Sequence, residues 1–203
     1  MKLKVIGDEK ECTLVIPANM VIKGDVNLSD MGLTKLPDLS AVTVNGDFEC
    51  FGNKLTTLEG APQTVGGSFD CSFNELTSLK GAPKSVGGGF YCYDNQLTTL
   101  EGAPQTIEGD FHCFGNQLES LQGGPQSVGG DFHCSYNKLT SLQGAPQKVK
   151  GDFDCTENKS LKSVDGAPQK IGGDFICDKK RLMQEYEEKK LAYFMGKQTQ
   201  KKK

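Results

Sequence analysis

Between residues 24 and 177 the apolar and polar positions follow a fixed beat of about 21 residues. One unit reads Gly67-Ser68-Phe69-Asp70-Cys71-Ser72-Phe73-Asn74-Glu75-Leu76-Thr77-Ser78-Leu79-Lys80-Gly81-Ala82-Pro83-Lys84-Ser85-Val86-Gly87, and its consensus, GxFxCxxNxLTxLxGAPxxVG, recurs along the chain. Cysteines at 50, 71, 92, 113, 134, 155 and 177 mark the period, with a spacing of 21 five times and then 22. Such self-similarity predicts a solenoid in which each coil packs only on its neighbours. Within Gly-x-Phe-x-Cys the alternation predicts a short strand with Phe and Cys inward and their neighbours outward. A parallel strand ladder follows, with Phe48, Phe69, Phe90, Phe111, Phe132, Phe153 and Phe175 stacked beside the cysteines.

The remaining repeated letters have assignable tasks. The asparagines at 53, 74, 95, 116, 137 and 158 follow the strand where the chain turns, and a buried amide can satisfy turn backbone groups there. Leu55, Leu58 and their equivalents fill the coil. Gly60-Ala61-Pro62 suits an extended, tightly bent, non-helical return. Ser160 interrupts the usual Asn-x-Leu and predicts a local bulge. Gly24-Asp25-Val26-Asn27-Leu28 is an eroded first copy, with Leu28 in the cysteine place and Met31 in that of the asparagine.

The flanks break the beat. Residues 1–23 predict an N-terminal hairpin cap, with strands at 3–6 and 12–16 and Cys12 in its core. Residues 24–177 are the solenoid, of about seven coils. Residues 178–196 predict a capping helix over 179–195, with Asp178 as N-cap, an apolar side of Leu182, Met183, Tyr186, Leu191 and Phe194, and Gly196 as stop. Residues 197–203 are expected to be a basic disordered tail.

Composition narrows the class. No apolar run approaches the roughly 18 residues of a membrane-spanning helix. The first residues turn acidic after six, unlike a signal peptide, so a cytoplasmic protein is expected. Residues 1–177 carry a charge of −8 and residues 178–203 carry +5, within a total of −3. An acidic body argues against nucleic acid as a partner of the folded part, which would need a basic stripe.

FxCxxNxLxxL resembles the leucine-rich-repeat core LxxLxLxxNxLxxL, and the full unit with its GAPxxVGG return is similar to short repeats of bacterial and bacteriophage proteins. That resemblance covers about residues 24–177. It implies a horseshoe-like leucine-rich-repeat solenoid that binds another protein, and, on the bacteriophage side, a host protein neutralised in the host cytoplasm. Phe and Cys replace two of the usual leucines, and the return is too short for a regular helix.

Candidate chemistry lies in the outward columns. No CxxC pair occurs and each cysteine belongs to a separate coil, so the thiols read as reduced core side chains rather than ligands or disulfides. The outward strand positions of the central coils collect Tyr91, Tyr93, His112, Phe114 and His133, with Asp110 and Asp131 as an acidic rim and Phe73 and Tyr136 at the turn. Exposed aromatics rimmed by polar groups are the signature of a protein-binding patch; the alternative is that the rings merely brace adjacent strands. The two histidines and two aspartates raise the question of a metal site, but the same acid column continues at Asp47, Asp152 and Asp174, which marks it as part of the repeat. No Ser-His-Asp order, phosphate loop or HExxH is present. The sequence therefore predicts a non-enzymatic protein binder without metal or cofactor, using its concave strand face. Its competitor is an acidic nucleic-acid mimic that occupies a basic site on a nucleic-acid-binding protein.

Overall fold

A computed structural model describes residues 19–200. The strand pairs Val26–Asn27, Phe48–Glu49, Phe69–Asp70, Phe90–Tyr91, Phe111–His112, Phe132–His133, Phe153–Asp154 and Phe175–Ile176 form one parallel sheet of eight strands in chain order. Phe pairs with Phe in register from coil to coil. The fold is a parallel β-solenoid of about seven turns closed by one helix. The predicted hairpin strands and Cys12 lie outside the described residues; Val21–Ile22 already belongs to the solenoid, paired with Thr43–Val44.

The returns are more regular than the sequence suggested. Their Thr-Val and Ser-Val steps make a second parallel ladder, in two blocks of four strands each. The blocks meet between Ser85–Val86 and Thr106–Ile107, where Glu108 stands in the place of Gly66 and Gly87. A β-branched residue directed inward suits a pleated, half-buried strand, and Val65, Val86, Ile107, Val128 and Val149 are buried. Each return begins at a turn in which Gly60 and its equivalents adopt a left-handed φ near 90°, and Ala61 N–H closes the turn on Leu58 O at 3.0 Å. Only glycine adopts that backbone without strain.

Inside, the phenylalanine rings stack with centroids 5.2 to 5.8 Å apart from Phe48 to Phe175. Such pairs add about 0.5–1.5 kcal/mol each beyond area burial. Cys50, Cys71, Cys92, Cys113, Cys134, Cys155 and Cys177 are buried free thiols beside them. The thiols of Cys71, Cys92, Cys134 and Cys155 donate to carbonyls of the following coil at 3.3 to 3.4 Å. Burial pushes the ionisation of Cys71, Cys92 and Cys134 far up, and contact with Cys177, then burial, does so for Cys155; Cys177 differs. There the adjoining Cys155 thiol, aided by the Lys179 backbone N–H, lowers the group to about 6.

The asparagines form the expected structural ladder. Asn74 Nδ2 donates to the carbonyls of Cys50, Cys71 and Ser72, and its Oδ1 accepts the Leu55 N–H at 2.9 Å. Asn95, Asn116, Asn137 and Asn158 repeat this arrangement. One amide thereby ties two coils, and buried backbone groups are left paired. The extra residue near Ser160 is absorbed in a turn closed by Leu161 N–H on Asn158 O at 3.0 Å.

The helix α1 (Lys180–Gln200) closes the C-terminal end. Tyr186 stacks on Phe175 at 4.2 Å and Leu182 is fully buried, so the phenylalanine column continues into the cap. Lys179 and Arg181 donate to the carbonyls of Lys159, Leu161 and Lys162, acceptors that no further coil would satisfy. Three expectations are corrected. The Asp178 carboxylate accepts the Glu157 N–H at 2.7 Å, thus serving the last coil rather than the helix start. Met183 and Leu191 are exposed, 40% and 62%, because the face turned to the coil runs through Leu182 and Tyr186, and Leu191 lies half a revolution from Leu182. The helix also continues through Gly196 as far as Gln200, so residues 197–200, expected in a disordered tail, are helical; residues 201–203 and the Phe194 side chain lie outside the described ones. Among the described residues no helix is long and apolar enough to cross a membrane.

Candidate functional site

Four outward columns run along the strand sheet and the turn after it: the residue before each Phe, the residue between Phe and Cys, and the two after Cys. The first is structural as well as polar. Asp110 Oδ1 accepts the Asp131 N–H, and Asp131 Oδ1 accepts the Asp152 N–H, each at 2.8 Å, and Asp25, Asp47 and Asp152 do the same for their next coil. The rim aspartates are therefore fixed in place by the repeat itself. In the second column Asp70 and Asp154 close local turns by accepting the N–H two residues on, the usual Asx device.

The central coils depart from that pattern. Gly89 replaces the acid of the first column, and the Tyr91 ring folds back over it: a Cβ at position 89 would collide with the Tyr91 hydroxyl. Tyr91 meets His112 edge-on at 5.2 Å, and His112 stacks on His133 at 4.5 Å. Burial, with the neighbouring His133, holds His112 below its ordinary value of 6.5 despite the facing Asp110, Asp131 and Asp70. Its Nε2 is buried without a hydrogen-bond partner. In the third column Tyr93 stacks on Phe114 at 4.5 Å, and Phe73 meets Tyr93 edge-on at 5.3 Å. A contact of 6.1 Å between His112 and Phe114 joins the two rows. Six of the nine sequence-predicted residues thus form one continuous ring cluster, with Asp110 and Asp131 beside it and Tyr136 one coil further along the turn edge.

What sequence reasoning missed is the backbone of the fourth column, which carries Phe73 and Tyr136. Position two after each cysteine from Cys50 to Cys155 takes a left-handed backbone, φ 68° at Gly52, 51° at Phe73, 50° at Asp94, 65° at Gly115, 52° at Tyr136 and 52° at Glu157. Glycine fits; a bulky ring there is a costly choice, of about 1 kcal/mol or more. Yet Phe73 and Tyr136 stand 51% and 62% exposed. The recurrence of glycine at 52 and 115 was the available signal, because glycine returning at one place in the repeat marks that column as left-handed.

Electrostatically the face has one sign. From Asp25 to Glu157 the four columns contain Asp25, Asp30, Asp47, Glu49, Asp70, Asp94, Asp110, Asp131, Asp152, Asp154 and Glu157, and no Lys or Arg. Among the described residues none of these acids enters an ion pair; the pairs lie on the return side and the helix. Burial and the charges of Asp70, Asp47 and Asp25 raise Glu49 above its ordinary value. Burial, Asp110 and Asp70 do the same to Tyr91.

Among the described residues no group of three His, Cys, Asp or Glu is arranged to hold a metal ion. Two clefts, of about 190 and 350 Å³, lie under the helix around Val164, Pro168 and Tyr186 and at the turn around Lys35, Leu36 and Glu59, away from the ring cluster. Compared with protein-family models, curated proteins and solved structures, the chain finds no match.

Proposed function

We propose that this protein is a non-enzymatic binding scaffold of leucine-rich-repeat type, which engages a partner protein through the outward face of its strand sheet. The observation that carries the reading is the placement of Phe73 and Tyr136: two large rings exposed on a left-handed backbone where the preceding coil uses glycine, Gly52 and Gly115. Against that strain Phe73 gains one edge contact, with Tyr93, and Tyr136 has no ring contact among the described residues, whereas large aromatic side chains are enriched among the residues that carry binding energy at interfaces. Tyr91, Tyr93, His112, Phe114 and His133 extend the patch, and Asp110 and Asp131 border it. The resemblance to bacteriophage repeats extends the proposal to a host protein held inactive in the cytoplasm. The mimic of nucleic acid is the second reading, favoured by the unpaired acids.

Affinity capture with wild type and with a Tyr93→Ala, Phe114→Ala, Tyr136→Ala variant tests the scaffold. A partner retained by wild type and lost by a variant with an unchanged melting curve supports it; a partner captured equally by both, through the return side, refutes it. Salt separates the two readings, since an interface built on carboxylates loses affinity with added salt faster than one centred on rings.

A further inference from the structure

The turn row Phe73, Asp94, Gly115, Tyr136, Glu157 alternates rings and carboxylates around one gap. Gly115 leaves the gap, and Asp94 leans across it, since a Cβ at position 115 would collide with Asp94 Oδ1. Burial raises the Asp94 carboxyl above its ordinary value, and among the described residues it enters no ion pair, the nearby Lys138 ammonium being turned to Gln117. Tyr136 follows Gly115 one coil later in the row, Phe73 precedes Asp94 by one coil, and Phe114 is the strand-side neighbour of Gly115 in the chain. Carboxylate and ring face together select a planar cation, because a guanidinium can fork onto the acid and lie against the ring, and an ammonium does neither as well. The arrangement repeats: Glu157 stands next to Tyr136, three coils beyond Asp94. At roughly 4.8 Å per coil that is about 14 Å, the span between residues i and i+4 of an extended chain, whose side chains share a face.

Resting on the scaffold reading, we propose that this row docks an extended basic segment of the partner, with one arginine on Asp94 in the Gly115 gap and a second, four residues away, on Glu157 beside Tyr136. An apolar residue midway between them would lie between the coils of Phe114 and Tyr136.

The test uses the full chain and a fluorescein-labelled peptide, Gly-Arg-Gly-Phe-Gly-Arg-Gly, with counterparts carrying Lys or Glu in place of both arginines. At about 50 mM salt the Arg peptide should bind about fivefold tighter than the Lys peptide and more than tenfold tighter than the Glu peptide. Asp94→Asn should weaken it about fivefold and Tyr136→Ala by a similar factor. Glu101→Gln, on the return side, should leave it unchanged, and circular dichroism melts should confirm that all variants are folded. Equal binding of the Arg and Glu peptides, or indifference to Asp94→Asn, overturns the arginine site. If a captured partner is lost on Phe114→Ala yet insensitive to Asp94→Asn, the arginine site alone fails; if it is insensitive to both, the scaffold fails with it. Self-association by sedimentation that disappears on removal of residues 197–203 would identify the occupant as a second copy's lysine-rich end and overturn the assignment to a different protein.

Discussion

The inner and outer sides of the same two-residue strands obey opposite rules. Inward, Phe, Cys, Asn and Leu repeat in every regular coil, because each residue packs on its own kind one coil away and an odd letter would spoil two interfaces at once. Outward, Glu49, Asp70, Tyr91, His112 and His133 occupy one column with no common chemistry. The contrast teaches where selection is free to act: the ladder sets shape, and the outer letters can change singly or in local pairs, as with Gly89 and the Tyr91 ring laid over it.

Alkaline titration should break the inner side most severely. The six thiols from Cys50 to Cys155 titrate far above their ordinary value of 9.0 when folded, so above pH 9 the unfolded chain holds fewer protons than the folded one. The stability these six thiols confer is therefore complete below pH 9 and falls as pH rises, by up to about 1.4 kcal/mol per thiol per pH unit, whereas Cys177, lowered to about 6 when folded, adds a smaller opposing gain between pH 6 and 9. Urea midpoints at pH 8 and pH 10 measure this, and an unchanged midpoint would mean that the thiols ionise in place. Phe111→Ala interrupts the ring column and should cost about 3–5 kcal/mol in the same denaturation experiment. Cys113→Ser puts a hydroxyl among apolar neighbours, and a loss of about 1–3 kcal/mol is expected at neutral pH. On the outer side the sign reverses: Tyr136→Gly relieves the left-handed backbone and should leave stability unchanged or raise it by about 1 kcal/mol. A clear destabilisation there would show that the ring braces the ladder instead of being kept for a partner.

Much of this was legible from the chain alone. A fixed period gives the solenoid, and alternation around Phe and Cys gives the buried side, because both depend on spacing. The asparagine ladder followed from the position of the amide after the strand. Harder to see was the second sheet: Thr64–Val65 and Ser85–Val86 are only two residues long, and one inward valine per coil carries no alternation to detect. Asp178 had the chemistry of a helix cap, but the unpaired Glu157 N–H of a coil with nothing after it was a competing donor. Leu191 was placed inward by composition when its angular position around the helix puts it outward. Among the site residues, the ring columns could be read directly, whereas the leaning Asp94 carboxylate depends on what Gly115 leaves empty one coil later.

The contact between Tyr186 and Phe175 has a further consequence. It is the same kind of ring-on-ring stack that each phenylalanine makes with the next, so the surface on which the helix rests is one that every coil presents. Length is then a free variable of this architecture. Loss or duplication of a 21-residue unit would leave the closing helix an equivalent seat, while moving Asp94 and Glu157 nearer or farther by one coil. The molecule can therefore be re-gauged to a partner of different spacing by unequal recombination within its own gene, without any new contact having to be invented.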